Sequence, residues 1–374
     1  MDSSFLNKAI QTERGVIDLG LGEFSNKNSS TREILEFSVE RALNQGVLYT
    51  DGFGSEKLRK KIALYHNNIF SDITSYKNIG VTVGALHGLF LALSVLKPTL
   101  GEIILISPYF PPYLELFNNS GIKVKIISSN SDFSFPLDAV KANMTQSTSA
   151  ILINYPNNPS GYSLSRRERE QIIELIRDRD LWLIEDIVYH RFSEKNTRPI
   201  WCDQKEKVIL INSFSKTFAM TGWRIGYLMC NDSLLSECMN FNNSITFSPP
   251  TLSQYAAEFV LLNEQKYFET QIELITQNSK IVEKELEGIS EFENVIYRGG
   301  IYMFIRLNLE DRLLKKFFKT LSEEYNVIVI EGNEFGKEYR DYFRVSLSVS
   351  QEILIDGIKK IKSCLKCINN SNSS

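Results

Sequence analysis

The chain has 374 residues, 43% hydrophobic and 23% charged, with a formal net charge of −3. That length supports one large core plus a smaller one, and the scattered Lys and Arg carry no nucleic-acid signature. No apolar run reaches the roughly 18 residues of a membrane helix, the first residues lack the apolar core of a signal peptide, and five cysteines without a dense framework predict free thiols and a cytoplasmic location.

In chain order, Val81–Val83, Glu102–Ile106, Ile122–Ile127, Ala150–Ile153, Leu181–Glu185, Val208–Ile211 and Gly226–Cys230 predict strands. Several are almost wholly apolar, as strands buried on both faces are. Between them, Ala85–Leu96 predicts a buried helix. Ser165–Arg179 predicts another, opened by a capping box of Ser165 with Glu168. This alternation predicts an α/β fold with a mostly parallel central sheet. Beyond Pro250 the pattern changes. Leu252–Leu262 and Lys266–Leu286 predict helices, Val295–Leu307 and Tyr342–Leu347 strands of a second, smaller sheet, and Gln351–Cys367 a closing helix. The final NNSNSS reads as a disordered tail.

In an open parallel sheet, ligands gather at the carboxyl ends of the strands. Four such ends carry polar or flexible residues. The segment INSFSKTFAMTGWRIGY, from Ile211 to Tyr227, is the richest. Lys216 there can form a Schiff base, while Ser213, Ser215 and the guanidinium of Arg224 can hold a phosphate. Pyridoxal phosphate needs that combination. Asp186, at the end of LWLIE, can pair with a protonated pyridine nitrogen, and Tyr189 three residues on can bond the cofactor's phenolic oxygen. The bland alternative, that Asp186 caps a helix, loses weight beside Lys216. After Gly84, the amides of Ala85 and Leu86 offer a helix N-terminus to an anion. His87 is read as structural, and the Cys364–Cys367 pair, without a second pair, as incidental.

These motifs together resemble the pyridoxal-phosphate-dependent aminotransferases of class I/II, the aspartate-aminotransferase-like group of fold type I. The resemblance runs in order from Gly22 to Arg344. It implies a large domain with a mostly parallel seven-stranded sheet between helices, plus a smaller α+β domain. The boundaries it implies are an N-terminal segment 1–45 joined to the small domain and covering the site, a cofactor-binding domain 46–265, a small domain 266–368 and a tail 369–374.

The resemblance also implies residue roles. In NYPNNPSG, Asn158 bonds the cofactor's phenolic oxygen and helps to bind substrate. In SPYFPPY, Phe110 stacks on the ring. Tyr49 of LYTDGFG reaches the phosphate of a neighbouring subunit, so the active sites of a homodimer are shared. Arg344 of YFRVSLS grips the substrate α-carboxylate, and Gly22 of IDLGLGEF lets the backbone approach substrate. Phe24 and Glu331 stand where the family often has proline. The implied reaction is a ping-pong Schiff-base transfer of an amino group from an L-amino acid to a 2-oxo acid, with Lys216, Asp186 and Tyr189 as the catalytic set and no metal. The same constellation also serves lyases, cyclases and synthases acting through the same carbanion. A non-catalytic regulator is a third reading, opposed by the complete set of chemical residues.

Overall fold

The computed structural model describes residues 15–24, 29–193 and 198–370. A short strand β1 (Ile17–Asp18) comes first. Seven strands then build the main sheet: β2 (Ile79–Thr82), β3 (Glu102–Ser107), β4 (Lys123–Ser128), β5 (Thr148–Asn154), β6 (Trp182–Asp186), β7 (Val208–Ser213) and β8 (Gly226–Met229). Their spatial order is β2-β8-β7-β6-β5-β3-β4. Neighbours from β7 to β4 run parallel. β8 alone runs against both of its neighbours.

The apolar runs form strands because helices cover both faces of the sheet. Alternate residues divide between two cores. Ile104, Ile151, Leu183 and Leu210 enter one, with Trp201 and Phe214. Leu105, Leu152, Ile184 and Ile209 enter the other, with Leu93 and Phe117 from helices Ala85–Leu96 and Pro111–Ser120. The helix Arg166–Asp178 opens with the expected capping box between Ser165 and Glu168.

A second body follows the long helix Glu264–Leu286. Its strands are β9 (Phe292–Glu293), β10 (Tyr302–Leu307), β11 (Val327–Ile328), β12 (Ile330–Glu331) and β13 (Tyr342–Ser346). Four of them make an antiparallel sheet in the order β12-β13-β10-β9, and β11 pairs with β1. The helices Asp311–Glu323 and Gln351–Asn370 close a third core around Phe317, Phe343 and Ile358.

Three expectations change. Val295–Leu307 is not one strand. Gly299 (φ +144°) and Gly300 (φ +71°) break it, and their backbone packs on the large body, with Gly300 N donating to Phe192 O at 2.9 Å. A Cβ on Gly299 would stand 2.7 Å from Gly161 O, so only glycine fits. The tail expected from residue 369 is helical as far as Asn370, where Asn369 donates to Glu291; residues 371–374 lie outside the described residues. The segment 1–45 also divides. β1 joins the small body, but the helix Ser29–Gln45 packs on the helix Thr251–Val260, with Arg41 bonded to Glu258 at 2.6 Å.

The loop Gly332–Tyr339 fastens the two bodies together. Glu338 accepts hydrogen bonds from the hydroxyls of Ser107 and Ser128, at the ends of β3 and β4. Tyr339 Oη lies 3.0 Å from Ser129 Oγ, and Tyr109 N donates to Phe335 O at 3.1 Å.

Candidate active site

The carboxyl ends of β2, β5, β6 and β7 face a cavity of about 700 Å³, closed on the far side by the N-terminal segment and the small sheet. Asn154, Asp186 and Ser213 are the last residues of their strands. Because β8 runs backwards, its first residue Gly226 pairs with both Ser213 and Thr82. The chain therefore leaves β7, passes Lys216 and returns at Arg224 on the same edge of the sheet. Ala219 (φ +53°) and Arg224 (φ +50°) both take the left-handed conformation in this return, costing roughly 1–2 kcal/mol each.

Twelve of the thirteen predicted site residues line this cavity: Gly22, Ala85, Leu86, Phe110, Asn158, Asp186, Tyr189, Ser213, Ser215, Lys216, Arg224 and Arg344. Tyr49 does not. It is 79% exposed, its ring edge-on to Phe247 at 4.9 Å.

At one end, Arg224 lies against the start of the helix Ala85–Leu96. Gly84 (φ +79°) makes this approach possible, since a Cβ there would stand 2.6 Å from a guanidinium nitrogen. Arg224 Nη1 donates to Thr221 O at 2.9 Å. Ser213 Oγ accepts from Ser215 N at 3.3 Å, which turns both hydroxyl-bearing residues into the same corner. A guanidinium, a helix N-terminus and two hydroxyls make an anion cradle. His87 turns away from it, its Nδ1 accepting from Val83 N at 3.0 Å.

At the floor, the buried Asp186 carboxylate accepts from Tyr113 Oη at 2.5 Å and from Val188 N at 3.0 Å. Burial pushes its pKa up to about 6 against these bonds. An uncompensated carboxylate of this kind suits a cationic partner. Asn154 Nδ2 donates to Asp186 O at 3.1 Å, and its Oδ1 accepts from Asn158 N at 2.9 Å, so β5 and β6 set the asparagine turn.

Opposite the floor, Arg344 is held from several sides. It donates to Asn158 Oδ1 at 2.8 Å and to Gly20 O at 2.5 Å, and its guanidinium sits 3.9 Å above the Tyr302 ring. Lys216 Nζ donates to Gly22 O at 2.7 Å. Gly22 touches the Tyr302 hydroxyl so closely that a Cβ would lie 1.8 Å from it. Asn158 Nδ2 donates to Tyr189 Oη at 3.4 Å. Burial pushes the Tyr189 phenol well up. Burial alone would also raise Tyr302, but Arg344, Lys216 and the hydrogen bond to Tyr189 hold it below its ordinary value.

Sequence reasoning missed Tyr113, Tyr302, Asp18 and the Glu23–Thr221 bond of 2.6 Å over the mouth. Tyr113 follows Phe110 by three residues, Phe110 standing just before the helix Pro111–Ser120, and their rings meet edge-on at 5.4 Å. Tyr302 was legible only through pairing. Phe304 pairs with Arg344, so Tyr302 is the diagonal neighbour of Arg344 on the same face of the sheet.

Comparisons with known proteins show the family and the fold. The profile of the family described as aminotransferase class I and II matches residues 14–361. The chain is 28% identical to an aspartate aminotransferase of Pyrococcus horikoshii, over 94% of this chain and 91% of that protein. It is 30% identical to a (5-formylfuran-3-yl)methyl phosphate transaminase of Methanocaldococcus jannaschii, over 98% and 96%. The crystal structure of an aromatic aminotransferase from Pyrococcus horikoshii superposes with a TM-score of 0.86 at 28% identity, over 97% and 99%.

Proposed function

The chain belongs to the class I and II aminotransferases, a pyridoxal-phosphate-dependent family, and from that membership we propose that it transfers an amino group from an L-amino acid to a 2-oxo acid at the cavity just described. The observation that carries the residue assignment is the convergence of Lys216, Asp186, Arg224 and Arg344 on that one cavity. The donor set fits pyridoxal phosphate. The cradle at Gly84 and Arg224 suits its phosphate, and the buried Asp186 suits a protonated ring nitrogen. Lys216 supplies the amine that would hold it. Phe110, on the cavity wall, is the candidate for stacking.

When bound, the cofactor supplies an electron sink for negative charge at the substrate Cα. Asp186 keeps the ring nitrogen protonated. Arg344, held by Asn158 and Gly20, receives the α-carboxylate and orients the Cα–H bond. Lys216 Nζ would take the proton from the donor's Cα and, in the second half of the transfer, deliver one to the carbonyl carbon of the 2-oxo acid as it becomes Cα. Tyr189 and Asn158 would hold the cofactor's phenolic oxygen.

The reading extends to a homodimer. Tyr49 lies in an exposed apolar patch with Leu43, Val47, Leu48 and Phe247, which would cover the same patch on a second copy and carry Tyr49 toward its phosphate cradle. No helix among the described residues is long and apolar enough to cross a membrane, and we place the enzyme in the cytoplasm on its free thiols. Lys216→Ala tests the assignment. It should abolish turnover and the absorbance of the lysine-bound cofactor, and a variant with full activity would sink the assignment.

A further inference from the structure

We propose that the side-chain end of this cavity selects amino acids with apolar or aromatic side chains and rejects a second carboxylate. The inference rests on the aminotransferase reading above. Names of relatives leave the choice open, since those reported are named for aspartate, a furan phosphate and aromatic amino acids. The charges on the cavity wall do not.

Among the described residues, three cations line the cavity: Lys216, Arg224 and Arg344. Each is committed. Lys216 bonds Gly22 O and serves the reacting carbon, Arg224 bonds Thr221 O in the anion cradle, and Arg344 bonds Asn158 and Gly20 O where the α-carboxylate belongs. The wall that remains for a side chain includes Leu21, Leu86 and Tyr302, with the carboxylates of Asp18 and Glu23. Asp18 Oδ1 accepts from Gly20 N at 2.7 Å and from Leu21 N at 3.1 Å. Burial pushes the Asp18 carboxyl above its ordinary value against the amides of Gly20 and Leu21 and the charge of Arg344, with a smaller upward push from the Glu23 charge.

The stretches proposed to meet a second copy add no cation. The face expected to meet it carries Tyr49 and Phe247. The sequence has no lysine or arginine between Arg41 and Lys57, and none between Arg224 and Lys266. A distal carboxylate would thus lose its water facing two like charges and, among the described residues, no uncommitted cation. An apolar or aromatic side chain would bury against the leucines and the tyrosine and leave no group unpaired.

Single-turnover experiments on the holoenzyme test this. Phenylalanine, leucine, aspartate and glutamate are added one at a time, and conversion of the cofactor to its aminated form is followed by absorbance. Phenylalanine or leucine should react with a second-order rate constant at least about a hundredfold above either acid. Calorimetry with unreactive analogues gives an independent readout, and 3-phenylpropanoate should bind more tightly than succinate. Asp18→Asn, which keeps an oxygen acceptor for Gly20 N and Leu21 N, should raise the glutamate-to-phenylalanine ratio several-fold. Aspartate or glutamate reacting as fast as the apolar donors, or succinate binding as tightly as the aromatic acid, overturns the proposal. The cofactor would still be aminated in that case, so the aminotransferase reading would stand. If no donor of either kind aminates the cofactor, that reading fails and this inference falls with it.

Discussion

Replacing Asp186 by Asn should stabilise the cofactor-free fold and cripple the enzyme, and both effects follow from one buried carboxyl. Its pKa of about 6 compares with an ordinary 3.8, with burial the first cause. A rise of about 2 units at about 1.4 kcal/mol each makes an ionised Asp186 cost the empty fold about 3 kcal/mol at neutral pH. The sign follows from the folded value lying above the unfolded one. The carboxyl's contribution is fully present below about pH 4 and is lost as pH rises through about 6. Asp186→Asn has no such proton to lose, and its amide oxygen can still accept from Val188 N. Urea unfolding of the two cofactor-free proteins should give matching midpoints near pH 4 and a variant more stable by up to about 3 kcal/mol near pH 7.5. With cofactor, the order reverses in function. An amide cannot neutralise a protonated ring nitrogen, and turnover should fall on the order of a thousandfold. A stability gap that does not widen with pH, or a variant that turns over normally, refutes the reasoning.

Gly84→Ala puts a methyl group against Arg224 and a side chain at positive φ, so equilibrium dialysis should show pyridoxal phosphate affinity reduced by about tenfold or more. Tyr302→Leu removes the ring under Arg344, an interaction worth roughly 1–2 kcal/mol, and steady-state kinetics should show the KM for the amino donor raised about tenfold. Tyr302→Phe keeps the ring and should leave that KM near its original value. Glu338→Ala breaks the bonds to Ser107 and Ser128. Calorimetry should show a loss of about 1–3 kcal/mol, with donor KM raised and cofactor affinity unchanged.

The central strands of the main sheet were legible because a strand covered on both faces is almost wholly apolar, as the IILI of β3 and the AILI of β5 are, whereas the edge strand β4, KVKIIS, carries two lysines. Asp186 was legible because a charge at the end of an apolar run has few other reasons to be there, and Lys216 and Arg224 because both lie in the short return between β7 and β8. The small body was less readable. Its strands are short, and the stretch from Val295 to Gly300 resembles the start of a strand while its glycines are claimed by contacts with Phe192 and Gly161. Tyr113 and Tyr302 stayed hidden for a different reason. Each is an aromatic inside an apolar stretch, where packing is the ordinary explanation, and only the position of Asp186 or Arg344 in space gives the hydroxyl or the ring a task. Glu338 reads as a surface acid in a KEY tripeptide, and nothing local announces the two serines that meet it.

The reversed strand β8 has a mechanical consequence. In a wholly parallel sheet the start of a strand lies on the edge away from the ligand, and Arg224 would be stranded there. Running β8 backwards brings that start round to the working edge after a return of seven residues, 217–223. The amine and the guanidinium that would hold the two ends of one rigid molecule are therefore separated by a stiff gauge of fixed length. An insertion or deletion in this short span would change the size of molecule the site can measure. The same change in an exposed loop elsewhere would be absorbed by solvent.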